Sequence, residues 1–285
     1  MGVFQITGKQ DAPETSGSRR DRQGLGAETQ VILKVEMHPT RSSCTWLLAP
    51  LTILPYTRST SLIEERMARV AALFDMDLTL LDASSGRLYV RYLRRNGEIG
   101  LQEVARTAWW GILSRLGVLD MQEVIPKLLS DAAGDSEAEM RALCDRWFAK
   151  DVVPHITEWG WRQVAFHREQ GHVVAIVSAS TQFAVGPLAA YLGIPGRYVS
   201  THLESKEGKL TGRVVPPVCF GPGKVVWAER FASEYGVDLG DSYFYTDSIS
   251  DLPLLERVGH PVAVNPDPRL RRLARRKGWP IEASF

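Results

Sequence analysis

The sequence predicts a doubly wound α/β fold, a Rossmann-like parallel sheet with helices on both faces and an all-helical insertion after its first strand. Two patterns carry this expectation. Beyond residue 150, short apolar runs alternate with segments of helical period, as strands joined by crossover helices do. Between about residues 83 and 150 the apolar residues recur only at helical spacing, so no strand interrupts that stretch. A chain of 285 residues with 44% hydrophobic and 24% charged content can bury such a core.

Each element follows from its residues. The apolar run over 69–75 reads as a buried parallel strand. Four helical stripes come next: Leu88, Val90 and Leu93; Val104, Ala108, Ile112 and Leu116; Val124 to Leu129; and Met140 to Phe148, with Gly97, Gly117 and Gly134 as helix ends. A helix over 157–170 closes at Gly171 and leads into strand His172–Val177. A helix at 182–192, a strand at 197–201 and a hairpin through Glu204–Gly212 with Gly208 at its turn follow. Helix 223–235, strand Ser242–Tyr245, helix 251–257, strand 261–264 and a basic helix at 267–276 complete the order.

Residues 1–66 stand apart. Residues 7–30 are polar and without apolar period, which reads as a disordered extension. The apolar stretch Trp46–Tyr56 contains Pro50 and Pro55 and is shorter than the about 20 residues that span a bilayer. Met67, just before the first strand, is an alternative start of translation. A net charge of +1 implies no bulk attraction to nucleic acid or anionic membrane, and the arginine-rich helix after Asp267 lacks interleaved aromatics. Three widely spaced cysteines exclude a disulfide framework and fit a reducing cytoplasm.

The first strand ends in Asp75-Met76-Asp77-Leu78-Thr79. A parallel strand delivers its carboxyl end to the ligand crevice of an open α/β sheet, and continued alternation aims Asp75 and Asp77 to one side of it. Two carboxylates there suit Mg²⁺, and an Asp beside the metal can attack phosphorus. Strand His172–Val177 ends in Ser178-Ala179-Ser180-Thr181, where a hydroxyl and backbone N–H groups can hold phosphate oxygens. Lys224 opens a helix, where it can neutralise phosphate. Asp247, at the end of an apolar strand, completes a Mg²⁺ set with Asp75 and the main-chain carbonyl of Asp77. Asp251 can cap the next helix, hold Lys224 or reach a metal-bound water.

In that order, DxDxT at 75–79, Ser178, Lys224 and DxxxD at 247–251 resemble the four motifs of the haloacid dehalogenase-like hydrolase superfamily. Ser85–Tyr89 and Val264–Leu270 are similar to its subfamily IB, which includes phosphoserine phosphatases. The resemblance covers about 68–282 and implies a core of 67–82 and 151–285 with a type-one cap over 83–150. It implies Mg²⁺-dependent hydrolysis of a small phosphorylated metabolite: Asp75 as nucleophile, Asp77 as acid and base, Thr79 orienting the loop by hydrogen bonding. Asp77 sets the chain apart from dehalogenases, which have no alkoxide to protonate. A phosphotransferase would share the first half-reaction, and a non-catalytic regulatory member would be expected to lack Asp75 or Asp77.

The pattern departs from phosphoserine phosphatases at two places. The Glu that grips the substrate's amino group is missing from Asp82–Arg87, with Asp82 its nearest substitute, and Ala179-Ser180 replaces Gly-Gly. Both departures argue against phosphoserine as substrate. Arg87, Arg91, Arg94 and Arg95 form either a greeting for an anionic substrate or a solvated helix face. Trp109-Trp110 is read as cap core.

Overall fold

The computed structural model describes residues 69–100 and 120–285. The extension expected over 1–66, the stripe Val104–Leu116, Gly117 and the Trp109-Trp110 pair lie outside the described residues. Within them the strands are β1 (Ala71–Phe74), β2 (Val173–Thr181), β3 (Tyr198–Thr201), β4 (Leu203–Lys206), β5 (Lys209–Val214), β6 (Tyr243–Thr246), β7 (His260–Val264) and β8 (Ile281–Glu282). The helices are α1 (Ser85–Arg95), α2 (Met121–Leu129), α3 (Glu137–Trp147), α4 (Glu158–Glu169), α5 (Gln182–Tyr191), α6 (Pro222–Tyr235), α7 (Leu252–Leu255) and α8 (Pro268–Lys277).

Six strands form one sheet in the order β3-β2-β1-β6-β7-β8, every neighbouring pair parallel. The order turns back at β1, because β2 and β3 lie on one side of it and β6 to β8 on the other. A crevice opens at such a switch point, beyond the carboxyl ends of the two diverging strands. Strand alternation splits the core into two layers. Ala71, Leu73, Val173, Ala175 and Phe244 pack with α6, α7 and α8 through Phe231, Leu254 and Leu270. Ala72, Phe74, Val174, Ile176 and Tyr245 pack on the other face with Val164 of α4 and Leu188 of α5. That second layer continues without a break into Leu88 and Tyr92 of α1 and Trp147 of α3, so the helical insertion shares the apolar core of the sheet.

The hairpin is more than an excursion. Gly208 N–H does sit at its turn, with φ of 77° beside Glu207 at 52°, but β5 also braces the insertion. Leu210 donates its amide to Asp135 and accepts from Gly134, and the Glu137 amide reaches Gly208 O, at 2.8 to 2.9 Å. Other boundaries differ from expectation. β2 runs on to Thr181, with a register shift against β3 between Val177 and Thr181. The helix expected at 251–257 is a single 3₁₀ turn at Ile249–Asp251 followed by the short α7. β8, two residues long, has no length over which alternation could announce it.

Candidate active site

Asp75 leaves β1 in extended conformation, but the chain then turns at once. Met76–Leu80 wind into a compact loop in which Leu78 takes φ of 56°, a left-handed conformation costly for a branched side chain. The straight continuation expected from Asp75 to Asp77 is therefore not formed, although the Asp77 charge still acts on Asp75 and raises it. Asp75 follows the parity of Ala71 and Leu73 toward α6. Asp77 turns to the start of α1, where its Oδ1 accepts the Ser85 amide at 3.0 Å. A carboxylate at a helix N-terminus meets unpaired amides and the positive end of the helix dipole.

Lys224 enters the site from the first turn of α6. Gly221, with φ of 53°, and Pro222 start that helix, and Gly223 leaves no room for a Cβ against the Val218 carbonyl. The Lys224 ammonium, 2% exposed, lies 2.7 Å from Asp75 Oδ1 and 2.7 Å from Asp251 Oδ2. Asp251 Oδ2 also accepts from Thr246 Oγ1 at 2.6 Å, and its side chain makes no capping bond to α7. Of the roles expected for it, the structure shows Asp251 holding Lys224 and not capping α7. Asp247 follows β6, the strand beside β1 at the switch point, and is half-buried there.

Burial dominates the electrostatics. It pushes Asp75 up to about 7, against the pull of Lys224 and with further lift from Asp251. Burial, then Asp75 and Asp251, raise Asp247 to about 8. Asp77 is raised too, by burial, with the hydrogen bonds from Ser85 opposing. For Lys224 burial works downward, but Asp251 and Asp75 together outweigh it and hold the ammonium charged. Among the described residues the acidic side chains of the site thus outnumber its buried cation, Lys224, and each makes its neighbours harder to ionise.

Ser178 is buried on β2 two residues after Ile176, the partner of Phe74, and so stands beside the end of β1. Its hydroxyl accepts the Ser180 amide at 3.2 Å, and Ala179 between them is half-buried. Thr79 departs from expectation: its hydroxyl is fully buried and has no hydrogen-bond partner among the described residues. The loop is oriented by others. Asn265 Nδ2 donates to Leu78 O at 3.0 Å, and Thr157 gives both its amide and its hydroxyl to Leu80 O. Asp82 pairs with His155 Nδ1 at 2.6 Å. Arg87, Arg91, Arg94 and Arg95 line the exposed face of α1, and Arg95 pairs with Asp151 at 2.8 Å.

Asn265, Thr246, Ser85 and Gln122 escaped the sequence reading as site residues. Ser85 joins Asp77 to Ser180, whose hydroxyl lies 2.9 Å from its own. Gln122 of α2 donates to Val218 O and Phe220 O, the loop that presents Lys224. Thr246, next to Asp247, carried the signal of a hydroxyl at a strand's carboxyl end, and Ser85 and Asn265 lie in the two stretches similar to subfamily IB, without a role attached to either.

A doubly wound sheet whose switch point gathers aspartates and one lysine defines an α/β enzyme of anionic substrates. The description of the haloacid dehalogenase-like hydrolases matches residues 72–256. A histidinol-phosphatase of Neisseria meningitidis is 31% identical over 215 residues, 74% of this chain and 96% of that one. A phosphoserine phosphatase of Mycobacterium tuberculosis is 32% identical over 215 residues, 74% and 70% of the two chains. A crystal structure of a Bordetella pertussis protein of unknown function is 33% identical with a TM-score of 0.68, covering 76% of this chain and all of that one. The chain belongs to the haloacid dehalogenase-like hydrolase family, in the phosphatase branch related to phosphoserine phosphatase. Among the described residues no helix is long and apolar enough to cross a membrane.

Proposed function

We propose that this chain is a Mg²⁺-dependent phosphatase that hydrolyses a small phosphomonoester through an aspartyl-phosphate on Asp75. The observation that carries the reading is the Asp75–Lys224–Asp251 chain at the switch point between β1 and β6. Lys224 holds Oδ1 of Asp75 and leaves Oδ2 for attack on phosphorus. As that bond forms, the ester P–O bond breaks, and Asp77 gives its proton to the leaving oxygen. The raised pKa of Asp77 suits that first protonated state. Asp77 then takes a proton from water, whose oxygen attacks phosphorus and returns Asp75 to its carboxylate. Ser178, the amide of Ala179 and Lys224 are assigned to the phosphoryl oxygens. Thr79, sealed beneath the loop, is assigned no contact with them.

The residues fit a hard divalent cation. Among the described residues no three His, Cys, Asp or Glu side chains converge to hold a metal alone, but the assigned set needs only two, Asp75 and Asp247, with the Asp77 carbonyl. All donors are oxygen, as Mg²⁺ prefers. The upward shifts of Asp75 and Asp247 mark a site with unbalanced negative charge. When bound, Mg²⁺ would supply charge neutralisation for the transferring phosphoryl oxygens.

The segment over 83–150 is assigned as the cap that selects the leaving group. The relatives' names give two different substrates, so both phosphoserine and histidinol phosphate belong in the test panel. Phosphate release should be seen from at least one phosphomonoester with Mg²⁺, and should stop with EDTA or in Asp75→Asn. Uniform inactivity across the panel, with Mg²⁺ present, would reject the reading.

A further inference from the structure

A cavity of about 330 Å³ lies between α1, α2, α3, α5 and the β4–β5 hairpin. Its wall is mostly apolar and includes three aromatic rings: Tyr89, Trp147 and Phe183 contribute to it beside Met140, Leu203 and Leu210. Among the described residues no charged side chain lines it. Ser85 and Ser180 line it too, with their hydroxyls 2.9 Å apart, and the Ser85 amide is the group bound to Asp77. The cavity therefore adjoins the carboxylate assigned to protonate the leaving oxygen.

We infer that this cavity takes the leaving group of the substrate, and that this group carries an uncharged, ring-sized apolar body. The inference rests on the phosphatase reading above and names the substrate class for it. Size agrees, since an apolar cavity of about 150 Å³ already holds a benzene ring. Chemistry agrees as well. The ammonium and carboxylate of a serine leaving group would enter a wall with no described charge to pair them, and unpaired buried charge is strongly disfavoured. Asp82, the nearest substitute for the missing Glu, is paired with His155 and does not line the cavity.

The test compares kcat/KM for 2-phenylethyl phosphate, ethyl phosphate and O-phosphoserine with Mg²⁺, in the wild type and in Ala132→Phe. Ala132 lines the cavity, and a phenyl ring there would occupy it. A single methylene in an apolar pocket changes selectivity by roughly 10- to 200-fold, so a whole ring should favour 2-phenylethyl over ethyl phosphate by about 100-fold or more. O-Phosphoserine should fall no higher than ethyl phosphate. In A132F the ratio of the first two substrates should drop at least about tenfold; misfolding would lower both rates and leave their ratio unchanged. Turnover of ethyl phosphate or O-phosphoserine as efficient as that of 2-phenylethyl phosphate would overturn the inference while leaving the phosphatase reading intact. Hydrolysis of none of the three, with phosphate released from another member of the panel, would overturn the inference alone; inactivity across the whole panel would remove the phosphatase reading with it.

Discussion

The ammonium of Lys224 is shared between Asp75 and Asp251, 2.7 Å from an oxygen of each, at side chains that are all at least nine-tenths buried. The pairing explains why a lysine survives with 2% exposure at the start of a helix, where its charge opposes the helix dipole. Removing one partner of a buried ion pair typically costs about 3–5 kcal/mol because the other charge is left uncompensated. Lys224→Met should lose stability on that order and should lose phosphate release as well. Urea unfolding at neutral pH checks the first; a loss under about 1 kcal/mol would mean the pair contributes little to folding.

Asn265 reaches across the sheet to the loop of Asp75. Its Nδ2 donates to Leu78 O at 3.0 Å and to Ser284 Oγ at 2.6 Å, and its Oδ1 accepts the Ser284 amide. Because Leu78 is left-handed, the loop needs such an outside hold. Asn265→Ala should lower kcat by roughly 10- to 100-fold with a smaller change in KM, the signature of a misplaced nucleophile. Asn265→Asp should not rescue it, since a carboxylate offers no donor to Leu78 O. Steady-state kinetics of both variants decides the matter; an unchanged kcat would release Asn265 from this role.

His167 is fully buried beneath β6, with Nδ1 2.8 Å from His172 Nδ1 and Nε2 2.8 Å from Tyr245 Oη. Burial, aided by His172, lowers its pKa from 6.5 to about 4. The folded state thus resists a proton that the unfolded chain accepts. The stabilisation is complete above pH 6.5 and is lost as pH falls toward 4. Relative to His167→Phe, the wild type should lose about 2 kcal/mol between pH 7 and pH 5. Denaturant unfolding of both proteins at the two pH values measures this gap, and a gap independent of pH would contradict it.

Mg²⁺ should stabilise the protein through Asp247. Binding only the folded state adds about 2.7 kcal/mol at a ligand concentration 100 times Kd. Without metal, Asp247 titrates at about 8, so binding at pH 7 must displace its proton, and affinity should rise with pH through that range. A thermal shift with Mg²⁺ in the wild type, absent in Asp247→Asn, is expected. An equal shift in both would place the metal elsewhere.

The site was legible in the sequence because its carboxylates interrupt apolar strands, where nothing else explains an acid. Asp75 and Asp247 each follow a buried run, and the structure brings those runs side by side at the switch point. Lys224 and Asp251 were legible by position and their pairing as one of three alternatives, but position alone could not choose it, since the contact joins the start of α6 to the residue before α7. The turn at Leu78 left no trace: no glycine marks it, and the residue that holds it lies 187 positions away. The hairpin's second task was hidden for the same reason, because bracing the helical insertion depends on which segment packs against it. Thr79 shows the converse, a motif residue whose hydroxyl the fold seals off among the described residues.

The central claim is that Asp75 carries the phosphoryl group during turnover. Acid quenching of the enzyme in the first turnover with Mg²⁺ and a hydrolysed phosphomonoester, followed by peptide mass mapping, tests it directly. A phosphoryl group on Asp75, removed by hydroxylamine, is the expected result. Turnover with Asp75 unmodified at every quench time, and Asp75→Asn as active as the wild type, would contradict it.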